Sequence, residues 1–268
     1  MSHLFGCVCN EPPRLGEALQ AIEPQLTVPG PVARFGLGYV QAGEVLLSRN
    51  PRGQRTAVDF FAMLRQLPSD YVVGCTTGED GLSGSANTPP YRYRRWLFGQ
   101  PEPAPAADGS RPLARVGELC AAVIPAFLDR SITGKTTAEH IFHVFLAMLH
   151  DTADIDDPNL PVPVIRRALR DAIQLIDSRL AGAGIGERVT GNIIVTNSRS
   201  MLAVRLGDAI YVRRVKHPDP RRSDHRLFRA VLALSGISEP GEGFEAIPES
   251  SVLTISRDLM TDIVPLAT

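Results

Sequence analysis

The stretch that most constrains the fold is the opening run Met1-Ser2-His3-Leu4-Phe5-Gly6-Cys7-Val8-Cys9. An apolar run this close to the terminus reads as a strand that enters the core at once. Termini ordinarily fray, so a terminus buried from its start must be held in place. Two accounts fit. Strand one simply starts early, or the terminus carries chemistry. Removal of Met1 would leave the α-amino group of Ser2 beside its own hydroxyl, and an amine can serve as general base for a neighbouring nucleophile.

At 268 residues the chain fits one large domain or two small ones. The only stiff segment, the proline-rich stretch 101–112, is too short to divide it, so a single domain over 1–268 is expected. The formal net charge of −1 gives no global electrostatic case for nucleic acid or an anionic membrane. Cys7, Cys9, Cys75 and Cys120 fit neither a disulfide framework nor a zinc pattern. Cys7 and Cys9 alternate to one face of a strand, where packing is the ordinary role of a free thiol. No apolar run reaches ~18 residues and no leader pattern opens the chain. A soluble, cytoplasmic protein with no metal and no cofactor is expected.

The remaining pattern is strands, then helices, then strands. Phe35 to Val40, the Ala42-Gly43 turn and Glu44 to Ser48 read as a hairpin. Residues 56–66 fit a helix, Tyr71 to Cys75 a strand, 78–85 a loop and Arg95 to Gly99 a strand. Leu113 to Asp129, Thr137 to His150 and Val162 to Leu180 show helical spacing. Thr136 or Thr137 supplies an N-cap for the second of these. Strands follow at Asn192 to Thr196, Met201 to Arg205, Ala209 to Arg213, Phe228 to Leu234 and Ser251 to Ile255. This order predicts an α+β layered domain rather than alternating βαβ units.

Four local motifs point to chemistry and have plainer readings. Gly134-Lys135-Thr136 ends like a phosphate-binding loop, but Asp129 stands where that loop needs glycine, and a helix rather than a strand precedes it. Glu139, His140, His143 and His150 sit on one helix without metalloprotease spacing, which predicts partly exposed polar side chains. Arg92, Arg94 and Arg95 interleave with Tyr91, Tyr93 and Trp96. Base stacking would use such a pattern, and a strand with one solvated face explains it as well. The basic stretch Arg213 to Arg226 also contains Asp219 and Asp224 and reads as a solvated loop or partner surface.

Several stretches, taken in order, resemble the class II glutamine amidotransferase family of N-terminal-nucleophile hydrolases, stand-alone bacterial type. Met1-Ser2-His3-Leu4-Phe5-Gly6 is similar to the family's Met-Cys-Arg-Leu-Phe-Gly opening. Phe35-Gly36-Leu37-Gly38-Tyr39 with Val45 to Arg49 resembles its first hairpin. Asn87-Thr88-Pro89-Pro90-Tyr91 and the strand after it resemble its Asn-Thr-His-Pro-Phe segment. Thr136-Thr137-Ala138-Glu139 resembles its Thr-Asp-Ser-Glu helix start. Ala203-Val204-Arg205 and then Ser238-Glu239-Pro240 resemble its late strands and a Ser-Glu-Pro turn. The likeness spans nearly the whole chain and implies a four-layer αββα sandwich.

The positions that would touch glutamine depart from the family. Ser2 replaces the cysteine nucleophile. The resemblance puts the substrate-carboxylate arginine at Thr76, which has no cationic fork. It puts the oxyanion turn at Gln100-Pro101-Glu102, where Pro101 has no N–H and Glu102 brings negative charge. The ammonium-binding aspartate becomes Thr137. One lost oxyanion donor typically costs ~10²–10³ in rate, and these changes act on one transition state. The resemblance therefore implies a pseudoenzyme that uses the sandwich as a binding or regulatory scaffold for a protein partner or a small amide-like ligand. The alternative is an N-terminal-serine amidohydrolase acting on an amide or ester other than glutamine, with Asn87 or loop backbone as oxyanion donor. Exposed strand edges make a homo-oligomer possible. A nucleic-acid role would give heparin retention with steep salt dependence; the chain is expected to elute at low salt.

Overall fold

The computed structural model describes residues 2–20, 22–78, 81–103, 109–218, 227–238 and 240–267. The chain opens with β1 (Leu4–Cys9), α1 (Leu15–Gln20), α2 (Glu23–Leu26) and β2 (Thr27–Val28). Next come β3 (Arg34–Gln41), β4 (Glu44–Asn50), β5 (Val58–Asp59), α3 (Phe60–Leu64) and β6 (Tyr71–Thr77). β7 (Tyr91–Tyr93) and β8 (Trp96–Gly99) lead to α4 (Val116–Cys120), α5 (Ala126–Asp129), α6 (Thr137–His150) and α7 (Val162–Gly182). The chain closes with β9 (Ile193–Thr196), β10 (Met201–Val204), β11 (Ile210–Pro218), β12 (Leu227–Ser235), β13 (Phe244–Ala246), β14 (Ser251–Ile255) and β15 (Thr261–Pro265).

Two antiparallel sheets stack face to face. One has seven strands in the order β13-β11-β12-β1-β6-β3-β4, the other six in the order β15-β14-β10-β9-β8-β7. Helices α1 to α3 cover the first sheet and α4 to α7 the second. The expected αββα sandwich is the observed architecture, and its apolar residues divide into three buried layers. Leu4, Val8, Val73, Leu97, Ile194 and Leu253 fill the space between the sheets. Phe5, Cys7, Leu15, Leu19, Phe60 and Leu232 join the first sheet to its helices. Trp96, Phe98, Phe142, Phe145, Leu169 and Val195 do the same for the second.

β1 lies inside the first sheet, between β12 and β6. Its even residues enter the inter-sheet layer and its odd residues the helix layer, so every position is buried. That double burial is why the strand reads as an unbroken apolar run rather than an alternation. The Phe5 ring lies across its partner Gly74 and meets Phe60 edge-on at 5.1 Å between centroids. A β-carbon at Gly74 would fall within the Phe5 ring. Cys7 and Cys9 face the helix layer as packing residues, and burial drives both thiols up, that of Cys9 to about 12. All four cysteines are buried and free.

Several expectations need correction. The 113–129 helix is broken into α4, α5 and two 3₁₀ turns. Ile124 precedes Pro125 and is extended, as proline requires of its predecessor. The 56–66 helix shrinks to α3, capped by Asp59, because Val58 and Asp59 pair with β2 instead. Residues 91–99 are a hairpin rather than one strand, with Arg94 at φ +51° in the turn. The cations of that hairpin are engaged: Arg92 donates to the Val45 carbonyl, Arg94 pairs with Asp156, and Arg95 donates to the Asp156 carbonyl. Arg213 to Lys216 form part of β11 rather than a loop, while 219–226 lie outside the described residues. Glu139 and His143 are buried rather than partly exposed. The Ala42-Gly43 turn has both residues at positive φ, as a two-residue hairpin demands. Among the described residues no helix is long and apolar enough to cross a membrane.

Gly74→Ala forces the Phe5 ring out of its place. The expected cost is about 1–3 kcal/mol, as for other overpacked cores, read as a lower midpoint in urea unfolding. An unchanged midpoint would show that Phe5 repacks freely.

Candidate functional site

β1 carries Ser2 to one end of the sandwich, where a cleft of about 1080 Å³ opens. Ser2, Pro101, Glu102, Thr137, Asn192 and Ser235 line it. Ile173, Gln174 and Asp177 of α7 line it too, with Arg188, Val189 and Leu266. The Ser2 carbonyl is held close to Gly236, which sits at φ +82°; a β-carbon there would collide with it. The Ser2 hydroxyl has no hydrogen-bond partner among the described residues. The next side chain, His3, is partly buried, and burial followed by the N-terminal ammonium lowers its pKa.

The structure brings Ser2, Pro101 and Thr137 to this one cleft. Thr76, Asn87 and Gln100 are not among its lining residues. Thr76 is fully buried at the end of β6. Its hydroxyl accepts the His3 N–H at 2.8 Å, and its own N–H donates to the His3 carbonyl at 2.9 Å. It thus extends the β1–β6 ladder by one residue. Gln100 is also fully buried, and its amide nitrogen donates to the carbonyls of Thr190 and Gly191 at 3.1 and 3.3 Å. Asn87 accepts the Lys135 N–H at 2.7 Å and donates to the Ser83 carbonyl at 2.6 Å, so both ends of its amide are occupied. The buried Arg34 holds the same loop by donating to the carbonyls of Asn87 and Leu82.

The N-terminus of α6 faces the inner cleft, and internal groups satisfy its N–H donors. Thr136 is the N-cap: its hydroxyl accepts the Glu139 N–H at 3.2 Å and donates to Tyr91 Oη at 2.7 Å. The Glu102 carboxylate accepts the Thr137 and Ala138 N–H groups at 3.1 and 3.4 Å. A carboxylate suits the positive end of a helix. Glu139 turns back onto the preceding loop, accepting the Thr133 and Gly134 N–H groups at 3.1 and 2.7 Å. In the segment Gly134-Lys135-Thr136, which ends like a phosphate-binding loop, the Gly134 N–H is taken by Glu139 and the Lys135 N–H by Asn87, so neither faces a phosphate site.

Asn192 is a cleft residue the sequence did not single out. It accepts the Leu206 N–H and donates to the Asp208 carbonyl and Ser235 Oγ, tying three segments at the cleft floor. Asp177 accepts the Val189 N–H at 2.7 Å and pairs with Arg188 at 2.9 Å. Carboxylates and guanidinium groups from elements far apart in sequence, Glu102, Arg170, Asp177, Arg188 and Asp208 among them, therefore line the cleft. Among the described residues no group of three or more His, Cys, Asp and Glu is arranged to hold a metal ion.

Glu102→Ala removes the acceptor for two helix N–H groups, and a cost of about 1 kcal/mol is expected. Urea unfolding measures it, and a variant as stable as wild type would remove Glu102 from the cap.

No protein-family profile and no curated protein matches the sequence. Solved structures do match over its whole length. A glutamine aminotransferase class-II domain protein from Silicibacter pomeroyi superposes with a TM-score of 0.60 at 15% identity, over 99% of this chain and 100% of that one. A predicted glutamine amidotransferase from Pseudomonas aeruginosa gives 0.55 at 12% identity, over 98% and 99% of the two chains. The glutamine phosphoribosylpyrophosphate amidotransferase of B. subtilis also gives 0.55, at 9% identity, with 98% of this chain on 49% of that one. The chain therefore has the αββα fold that class II glutamine amidotransferase domains share.

Proposed function

We propose that this protein is a glutamine amidotransferase-like pseudoenzyme, which does not hydrolyse glutamine and uses the Ser2 cleft to bind a ligand. The observation that carries this reading is the oxyanion turn. At the place the family resemblance gives it, Pro101 offers no N–H and the Glu102 carboxylate is spent on the α6 N-terminus. A developing oxyanion there would meet negative charge instead of donors. The Thr76 hydroxyl and the Gln100 amide nitrogen add support, because both bind the fold's own backbone. Fold likeness does not carry activity without its site.

The cleft is open and lined by both apolar side chains, such as Leu113, Ile173 and Leu266, and charged ones, such as Arg170, Asp177 and Arg188, so it suits a ligand with apolar and polar parts. Its volume exceeds what one amino acid fills, which favours a larger amide-like molecule or a segment of a protein partner. Ammonia release from glutamine tests the reading. The purified protein is expected to release no more than its Ser2→Ala variant. Turnover that disappears in Ser2→Ala would contradict it.

A second reading rests on Ser2 itself, which lines the cleft and whose hydroxyl has no hydrogen-bond partner among the described residues. With Met1 removed, its amine could serve as base for attack on another amide or ester. Intact mass decides the first step. Retained Met1 leaves the amine on the wrong residue and ends this second reading. A mass lacking Met1, with ester cleavage lost in Ser2→Ala, would establish it.

A further inference from the structure

Away from the cleft, the turn between α5 and α6 sets a hydroxyl against an imidazole. Ser131 Oγ lies 2.9 Å from His143 Nε2. His143 Nδ1 lies 2.8 Å from the Glu139 carbonyl, one helical turn earlier. A carbonyl only accepts, so that contact puts the proton on Nδ1. When the ring is neutral, Nε2 keeps its lone pair toward Ser131. Burial is the main influence on the ring and holds its pKa below the ordinary value. The Glu139 carbonyl and carboxylate and Asp129 on α5 oppose that shift, while His140 adds to it. Tyr93 of β7 packs edge-on at 6.4 Å between ring centroids.

His143 is buried, whereas Ser131 is partly exposed, and neither lines the Ser2 cleft. The Ser131 hydroxyl has a second acceptor, the Leu128 carbonyl at 2.6 Å. One proton thus has two acceptors, and rotation about Cβ–Oγ gives it to Nε2 without moving a heavy atom. Hydroxyl, base within reach, and base oriented by a third group form the arrangement that activates a serine. The neighbouring N–H groups of Thr133, Gly134 and Lys135 are already bonded to Glu139 and Asn87. They are not free to hold an oxyanion, so an adduct formed here should persist rather than turn over.

We propose that Ser131 is a covalent modification site that takes an acyl or phosphoryl group from an activated donor, with His143 as its base. With a fluorophosphonate as the donor, Oγ attacks phosphorus. The O–P bond forms, the P–F bond breaks, fluoride leaves, and the hydroxyl proton passes to Nε2.

The full-length protein is incubated with a fluorophosphonate and the adduct is located by peptide mass mapping. A single adduct on Ser131 is expected, retained in Ser2→Ala, which separates this site from the cleft. His143→Asn should slow labelling at least about 100-fold, the lower range of a lost general base. In wild type the rate should fall on acidification, as the imidazole takes a proton, with a midpoint below that of an ordinary imidazole because the ring is buried. No adduct, or an adduct confined to other residues, would overturn the proposal. So would a Ser131 adduct whose rate ignores both His143 and pH. Should His143→Asn unfold, the wild-type pH profile alone decides, and a flat profile overturns it.

Discussion

Everything in this molecule depends on the burial of β1 on both faces. Leu4 and Val8 hold the two sheets together, while Phe5, Cys7 and Cys9 anchor the helix layer. A strand packed on both sides and hydrogen-bonded on both edges has no room to fray. Its first residues are consequently delivered to a fixed place. The backbone at His3 is clasped by Thr76, and that at Ser2 by Gly236. The fold thus positions a terminal serine at the mouth of a cleft, whatever chemistry that serine retains.

The groups around this position are committed inward. Thr76 lengthens a ladder, Gln100 binds two carbonyls, Glu102 and Thr136 cap α6, and Asn87 and Arg34 hold a loop. Each is a buried or half-buried polar group whose hydrogen bonds would be costly to abandon. A substrate would have to compete with the protein's own backbone for them. The open space runs from Ser2, Glu102 and Thr137 to α7 and the segment 187–192. The sandwich architecture itself is shared with solved amidotransferase domains at 15% identity or below.

What was legible in the sequence was local. The unbroken run of β1, the Ala42-Gly43 turn and α6 with its Thr136 cap all express themselves within a few residues. The break at Ile124-Pro125 was equally local, although helical spacing on either side concealed it. β13 and β15 carry no clear signal, being short, largely exposed strands at sheet edges. The site was legible only as positions. Thr76 meets His3 across 73 residues, Gln100 meets Thr190 across 90, and Glu102 meets Thr137 across 35. Their partners are set by tertiary packing, which no local pattern encodes. The same holds for Asn192 and for the Ser131–His143 pair, whose members sit on opposite sides of a helix start.

We propose that the sandwich keeps its architecture while its inner site does not recognise glutamine. The most direct measurement is the intact mass of the protein after exposure to a diazo-ketone analogue of glutamine. Such a compound alkylates a terminal nucleophile only when the site holds the amino-acid end in place. The account predicts an unchanged mass. A stoichiometric adduct on Ser2, blocked by excess glutamine, would contradict it.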